Sequence, residues 1–181
     1  MRILGIDPGS AATGWGVVDA VKGEVHHVAH GTFRPPRTAA LSSKLAFLHA
    51  GLAEVILLHG PETAVVERVF VANNARSALV LGQARGALLA ALGAGGLAVE
   101  ELAAREVKQA VVGTGAAAKS QVQAMVTRLL SLDPAPPSDA ADALAAAICA
   151  AHQNRYSALG GVGGRRSRSR RRANWTARRR S

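Results

Sequence analysis

Cysteine, aromatic residues and long apolar runs are all scarce in this sequence. The single cysteine among 181 residues, Cys149, rules out an internal disulfide, and its Ala-rich surroundings predict a buried small side chain. No apolar run reaches the roughly 18 residues of a membrane span, and Asp7 follows Met1 too closely for a signal peptide. We therefore expect a cytoplasmic protein with no membrane partner.

Acidic residues are absent from the last 27 positions, residues 155–181, which contain ten of the 22 Lys and Arg residues. The remaining 12 basic residues balance all 12 acidic residues in 1–154, so the net charge of +10 belongs to the C-terminal segment. We predict a folded domain over 1–154 and a disordered Arg-rich tail over 155–181. Such a tail favours phosphate backbones, although the same composition also serves solubility alone.

The periodicity of apolar residues predicts an α/β fold. Short apolar runs bounded by Gly and Asp predict strands over Arg2–Asp7, Gly14–Ala20, Glu24–Phe33, Thr63–Glu67 and Leu97–Glu100. Helical spacing predicts helices over 39–59, 74–92 (stopped by Gly93), 119–131 and Ser138 to about His152. The pattern over 103–112 is ambiguous and favours a short helix. Hairpin strands followed by crossover helices indicate a mixed five-stranded sheet with helices on both faces.

Four acidic residues stand apart from ordinary surface charges. Asp7 and Glu67 each end a predicted strand, and Asp139 and Asp142 share one face of the last helix. If the two strands are neighbours, these carboxylates meet at one sheet edge, where ligands gather in such folds. Structural roles are the alternative: Asp7 before Pro-Gly as a turn residue, and Asp139 as a helix N-terminal charge.

Clustered carboxylates predict a divalent metal site. Their mutual repulsion raises their pKa values unless a cation offsets the charge, and Mg²⁺ prefers oxygen ligands. Two such ions, about 4 Å apart, activate a water molecule and stabilise the leaving oxygen of a phosphodiester. No arrangement of His and Cys in the sequence suggests zinc, and His26, His27 and His30 are interpreted as surface residues.

Four stretches resemble the RuvC family of Holliday-junction resolvases, nucleases with a ribonuclease-H-like fold. They are GIDPGSAATGWGVVD (5–19), VVERVFVANNARSALVLGQARGA (65–87), REVKQAVVGTGAAAKSQVQAMV (105–126) and DAADALAAAI (139–148). They occur in order over most of the predicted domain. The resemblance implies metal-dependent hydrolysis that makes paired, symmetric nicks in four-way DNA junctions during recombination and repair.

The resemblance also implies roles for individual residues. The acidic quartet that binds metal and hydrolyses the phosphodiester matches Asp7, Glu67, Asp139 and Asp142, and the family's active-site lysine matches Lys119. The DNA-contacting positions match Lys108, the aromatic Phe70 and the loop residues Asn73, Asn74 and Arg76. Asn73 stands where the family often carries lysine, and Arg76 is positioned to compensate.

The same resemblance implies Mg²⁺ as cofactor, with Mn²⁺ also supporting activity, and a homodimer that works with a junction-binding and branch-migration complex of RuvA and RuvB type proteins. Helix 74–92, with Gly82 and Gly86 allowing close approach, is the candidate dimer interface; plain core packing is its alternative reading. Trp15 is interpreted as a core residue.

Other functions compete less well with the residues present. Residues 113–120 (GTGAAAKS) nearly match a P-loop, but Ala118 replaces its second glycine. An actin-like sugar kinase needs two related domains, and a basic binding module without catalysis leaves the four acids unexplained. Related ribonuclease-H-like nucleases that act on RNA lack the motif at 65–87.

Overall fold

The computed structural model describes residues 1–68 and 74–158, with side chains through 154. Five strands and five helices follow one another in chain order. They are β1 (Arg2–Asp7), β2 (Thr13–Val21), β3 (Glu24–Phe33), α1 (Leu41–His59), β4 (Thr63–Arg68), α2 (Ala75–Ala94), β5 (Ala98–Ala103), α3 (Ala104–Val112), α4 (Lys119–Leu129) and α5 (Ser138–Ala158). The predicted mixed five-stranded α/β fold is confirmed.

The strands form one sheet in the order β3-β2-β1-β4-β5. The first three strands pair antiparallel, as their short hairpin connections require, and β4 and β5 join parallel through the crossover helices α1 and α2. In this order β1 lies between β2 and β4. The acid that ends β1 therefore stands beside the acid near the end of β4, with Ile6 opposite Val66 in the parallel register.

Two apolar layers cover the two faces of the sheet. On one face, Leu4 and Ile6 of β1 pack with Leu48 and Leu52 of α1 and with Leu88 of α2. On the other face, alternate strand residues pack against α3, α4 and α5; this layer includes Ile3, Val65, Val107, Val126 and Ile148. Residue alternation thus directs each strand's side chains to one layer or the other.

Helix α5 lies close to the sheet because glycines face it. Gly5 and Gly16 are paired across β1 and β2, and an added Cβ at Gly5 would overlap the carbonyl oxygen of Ala143. An added Cβ at Gly14, which is opposite Asp7, would overlap the carbonyl oxygen of Asp139. The glycines therefore allow the helix backbone to approach the strands, and this brings the acidic end of α5 to Asp7.

Several helix bounds differ from the predicted ones. Helix α2 continues through Gly93, whose Cα faces open space, and ends at Ala94, with Gly95 as the C-cap. A glycine that meets no neighbour weakens a helix without ending it. Helix α5 passes His152 and reaches Ala158, because neither proline nor glycine interrupts that segment.

Two predictions about single residues are confirmed and one is wrong. Cys149 is buried, and Trp15 packs on the α1–α2 face with its ring stacked 6.1 Å from that of Phe33. The histidines are not all surface residues, because His27 and His30 are half-buried and share a 2.8 Å hydrogen bond. Both histidines lie on β3, where the pairing with β2 is bulged between Ala29 and His27. The bulge brings two side chains three residues apart into contact, which the spacing in the sequence alone does not reveal.

Helices α1 and α2 are long and apolar enough, by length and composition only, to cross a membrane. The same test is passed by helices of folded soluble domains. Both helices pack on the sheet through buried residues, including Leu52 and Leu92, while 17% of the apolar stretch of α1 and 22% of that of α2 is buried.

Candidate active site

The predicted acidic residues meet at one edge of the sheet. Asp7 is the last residue of β1, and Glu67 is the second-last residue of β4. Side chains alternate along a strand, so Asp7 lies on the same face as Ile3 and Glu67 on the same face as Val65. This is the face covered by α5. Asp139 and Asp142 come from the first turns of α5, which rests on that face. Segments from three parts of the chain therefore supply one cluster.

The turn after Asp7 is held by Thr13, a residue that sequence reasoning missed. Thr13 is fully buried; its hydroxyl donates to the carbonyl oxygen of Gly9 at 2.8 Å and accepts from the Gly9 N–H at 3.2 Å. These two bonds close the loop between β1 and β2. The loop's shape, and with it the exit of the chain after Asp7, is thereby fixed. The signal available in the sequence was a threonine, Thr13, placed four residues after the turn glycine Gly9.

Burial and like charge raise the pKa of the two strand carboxylates. The pKa of Asp7 rises to about 7, chiefly because of desolvation and then because of repulsion from Glu67, Asp142 and Asp139, with Lys119 opposing. The pKa of Glu67 is also raised, by desolvation first and Asp142 second. Asp7 is therefore affected by the charges of all three other acids, and Glu67 by that of Asp142. Such a cluster carries excess negative charge that a bound cation would relieve.

Two basic side chains pair with the acids of α5. Lys119, the first residue of α4, places its Nζ 2.6 Å from Oδ2 of Asp142, and this hydrogen bond raises the pKa of the lysine. Arg34, just after β3, places Nη2 3.3 Å from Oδ2 of Asp139. Arg34 was not predicted: it lies in a loop 105 residues away from its partner, and no local pattern links the two.

The lysine is positioned by the start of α4. The Ala118 N–H donates to the side-chain oxygen of Gln121 at 2.8 Å, which satisfies a free donor at the helix start. Glu67, Lys108, Lys119 and Asp142 then line one cleft of about 210 Å³. Lys108, for which a DNA contact is predicted, therefore lies in the same cleft as Glu67 and Asp142.

The near-match to a P-loop is excluded by the surrounding structure. Gly113 ends α3 with a positive φ of 84°, and the following turn leads directly into α4. A P-loop instead connects a strand to a helix. Lys119 instead begins α4 after this helix–helix connection and contacts Asp142 of the acidic cluster.

The remaining predicted DNA contacts lie at the start of α2. Asn74 is the N-cap, and its side-chain oxygen accepts the N–H of Arg76 at 2.9 Å. Helix capping therefore accounts for the asparagine at position 74. The side chain of Arg76 is exposed and lines a neighbouring pocket. Phe70 and Asn73 lie outside the described residues.

Carboxylate chemistry fits a divalent metal, although the acids would have to move closer together to hold one. Among the described residues, no three His, Cys, Asp or Glu side chains stand close enough to encage an ion as arranged. In this arrangement each α5 carboxylate faces a basic side chain, Asp142 facing Lys119 and Asp139 facing Arg34. The oxygen-only donor set and the raised pKa of half-buried Asp7 still fit a hard cation.

The sheet order and the carboxylates at its edge define a nuclease of the ribonuclease-H-like class. The profile of the family described as "Crossover junction endodeoxyribonuclease RuvC" matches residues 3–150. The chain belongs to this RuvC family of endodeoxyribonucleases, which makes it a hydrolase that acts on DNA.

Relatives and solved structures agree with this family. The crossover junction endodeoxyribonuclease RuvC of Burkholderia multivorans is 52% identical over 163 residues, covering 90% of each chain. A RuvC structure from Thermus thermophilus aligns with a TM-score of 0.77 at 34% identity, covering 89% of this chain and 98% of that one. A second T. thermophilus RuvC structure, in complex with Holliday junction substrate, gives the same TM-score and coverage at 30% identity.

Proposed function

We propose that this protein resolves four-way DNA junctions by hydrolysing phosphodiester bonds at the acidic cluster, making paired symmetric nicks during recombination and repair. The observation that carries the proposal is the convergence of Asp7, Glu67, Asp139 and Asp142, from three separate segments, beside Lys119. Membership of the RuvC family supports DNA as the substrate. The solved T. thermophilus complex with a Holliday junction supports the four-way junction.

The four carboxylates would hold Mg²⁺, and Mn²⁺ would also serve, with two ions in each site. When bound, the metal supplies activation of a water nucleophile and charge stabilisation at the phosphate. The protein's own contribution is the placement of acids in a part-buried edge, where desolvation raises the pKa of Asp7 and Glu67 and favours cation binding. Asp7, which interacts electrostatically with all three other acids, would be one of the residues that hold the metal.

Lys119 would stabilise negative charge that develops on the phosphate. Its ammonium group is held at the cleft by Asp142, so it stays near the acids without DNA. If Asp142 held a divalent cation instead, the ammonium of Lys119 would be free to interact with the phosphate. A preorganised positive charge of this kind contributes on the order of 10²–10³ to a cleavage rate.

A symmetric dimer would place two such sites on one junction. The outer surfaces of α1 and α2 support it, since Leu57, Leu58 and Leu79 are 87, 73 and 64% exposed. Gly82 and Gly86 have open space at their Cα positions, so a partner helix can approach closely there. Because a four-way junction has near two-fold symmetry, a two-fold dimer would cut two strands at matching positions.

The DNA path would run from the cleft to the start of α2. Lys108 lies in the cleft and Arg76 on the exposed first turn of α2, and both would contact phosphates; Phe70, Asn73 and Asn74 complete the predicted contacts. Residues 1–154 would carry the activity. The Arg-rich segment 155–181 would add sequence-independent attraction to DNA. The protein would act in the cytoplasm with RuvA and RuvB type proteins.

The proposal is tested with a labelled synthetic four-way junction and a linear duplex of the same sequence. In Mg²⁺ we expect two symmetric nicks in the junction and none in the duplex, and no nicks in EDTA. Tight junction binding without cleavage in any divalent metal would instead leave a DNA-binding protein on a nuclease fold. Equal cutting of the duplex would overturn the junction as the substrate.

A further inference from the structure

The connection between α3 and α4 leads directly to Lys119 and is short and rich in glycine. It covers residues 113–118, in which Gly113 takes a positive φ of 84°. Gly115 lies against the side chain of Arg105, where an added Cβ would meet Cγ of the arginine. Glycine has the greatest backbone freedom of any residue, so a loop with two glycines is costly to hold in one shape.

Gln109 of α3 holds this loop through both ends of its side-chain amide. Its Nε2 donates to the carbonyl oxygen of Gly113 at 2.6 Å, and its Oε1 accepts from the N–H of Gly115 at 3.1 Å. One amide group therefore pairs with an acceptor and a donor two residues apart in the loop. Together the two bonds form the Gln109 clamp. Any change in the relative position of the two glycines breaks at least one of them.

The hydrogen bonds within the loop itself are longer than those of the Gln109 clamp. The hydroxyl of Thr114 accepts from the N–H of Ala116 at 3.4 Å, and the carbonyl oxygen of Thr114 accepts from the N–H of Ala117, also at 3.4 Å. These distances exceed the usual range for N–H···O bonds in proteins, so the two bonds are weak. Without the clamp, the loop would keep only this weak internal support.

The body of α4 is fixed by the core, whereas its first turn depends on the loop. Val122 and Val126 are buried in the layer that contains α5. Lys119 precedes them, has a side chain that is 58% exposed, and reaches Oδ2 of Asp142 at 2.6 Å. The first turn of a helix frays unless the chain before it is held. The position of the ammonium group therefore depends on the loop that the Gln109 clamp closes.

From these contacts we infer that Gln109 is a positioning residue for DNA cleavage, because its clamp on the α3–α4 loop holds Lys119 at the acidic cluster. The inference rests on the proposed junction-cutting function. It assigns to Gln109 an effect on the cleavage rate that passes through Lys119 and leaves DNA binding unchanged. A misplacement of about 1 Å can cost about 10²-fold in rate, and a lysine that is loosened but still present should cost less, about tenfold.

The first test is single-turnover cleavage of a four-way junction in Mg²⁺ by full-length protein carrying Gln109→Met. Methionine keeps the length of the side chain and removes both polar atoms. We expect cleavage about tenfold slower than that of the wild type, with junction affinity within about twofold. The matched control is Gln153→Met, which removes a hydrogen bond to Cys149 near the C-terminal end of α5 and should cut normally.

A double-mutant cycle shows whether the effect passes through Lys119. In a Lys119→Met background, Gln109→Met should change the cleavage rate by less than about twofold, because no ammonium group is left to position. In a Lys108→Met background the tenfold loss should persist, since Lys108 lies on α3 ahead of the loop. Equal losses in all three backgrounds would overturn the inference, because Gln109 would then act independently of Lys119.

Amide hydrogen exchange, followed by NMR, examines the Gln109 clamp without DNA. Exchange should become about fivefold faster in Gln109→Met at Gly115 and at Gln121, whose N–H donates to the carbonyl oxygen of Ala118 in the first turn of α4. Exchange at Leu130, at the other end of α4, should stay the same. Unchanged exchange at Gln121 would show that the clamp does not order the first turn, and would overturn the inference.

The measurements separate the Gln109 clamp from the cleavage function. If the wild type cuts junctions and Gln109→Met cuts equally fast, the positioning role is wrong and the nuclease function stands. If the wild type cuts no junction, the proposed function fails, and exchange at Gln121 still decides whether the clamp orders α4. Thermal melting identifies a variant that fails to fold. A variant that is merely unstable would also lose rate in the Lys119→Met background, which contradicts the positioning role.

Discussion

Replacing Asp7 with asparagine should stabilise the metal-free protein at pH 8 while abolishing DNA cleavage. The carboxylate is half-buried beside three other acids, and its pKa rises from 3.8 to about 7. The native state therefore holds a proton on Asp7 over a pH range in which the unfolded chain has released it. Asparagine keeps the shape of the side chain and carries no charge to desolvate.

The sign and size follow from proton linkage. Below pH 3.8 Asp7 is protonated in both states and costs nothing; as the pH rises towards 7 the unfolded state alone ionises, and native stability falls. At about 1.4 kcal/mol for each pH unit between 3.8 and about 7, the cost reaches up to about 4 kcal/mol at pH 8. For a chain of this size, that corresponds to a rise in Tm on the order of 10 °C for the variant.

The assay is thermal melting of both proteins in EDTA between pH 4 and pH 8 at equal protein concentration. The Tm difference should grow with pH, and saturating Mg²⁺ should narrow it by stabilising the wild type more than the variant. Asp19→Asn is the matched control with the opposite sign, because Asp19 is paired with Arg2 at 2.8 Å and its pKa is lowered. An Asp7→Asn protein that is less stable than the wild type at pH 8, or equally shifted at all pH values, would refute the reasoning.

Four further predictions follow from named contacts. Lys119→Met should lower the cleavage rate about 10²–10³-fold in single-turnover assays while junction affinity stays nearly unchanged. Arg34→Gln should lower the Mg²⁺ concentration that half-stabilises the protein in melting experiments about two- to fivefold, since Arg34 competes for Asp139; an unchanged Mg²⁺ midpoint would count against this competition. Gly14→Ala should cost about 1–3 kcal/mol in urea unfolding and abolish cleavage by displacing α5, whereas Gly93→Ala, with open space around it, should be neutral or stabilising. Thr13→Val should cost about 1–3 kcal/mol by leaving Gly9 without its hydroxyl partner, and a neutral result would show that the loop is held by other contacts.

Local patterns were sufficient to predict most of the fold. An acid directly after an apolar run predicted the end of β1 at Asp7 and, to within one residue, the end of β4, which continues to Arg68. Those strands are neighbours, as the cluster requires. The spacing of Asp139 and Asp142 predicted a shared helix face because helical geometry is regular. The glycines of β1 and β2 read as turn signals in the sequence. Their larger role, letting α5 approach the sheet, appears only in three dimensions.

Contacts between distant segments could not be predicted from the sequence. Arg34 meets Asp139 across 105 positions, and the pocket lined by Arg76 combines side chains from the β1–β2 loop, α1 and α2. Neither leaves a periodic trace, because each residue is ordinary in its own segment. The hydrogen bond between His27 and His30 depends in the same way on a bulged register in the β2–β3 ladder.

The most direct test of the acidic cluster is single-turnover cleavage of a four-way junction by four separate carboxamide variants: Asp7→Asn, Glu67→Gln, Asp139→Asn and Asp142→Asn. Junction binding is measured on the same samples, with Asp133→Asn as a control outside the cluster. The account predicts that each of the four loses cleavage by at least about 100-fold and still binds the junction, while the control cuts normally. Wild-type cleavage by any one of the four would contradict a single catalytic site built from all of them.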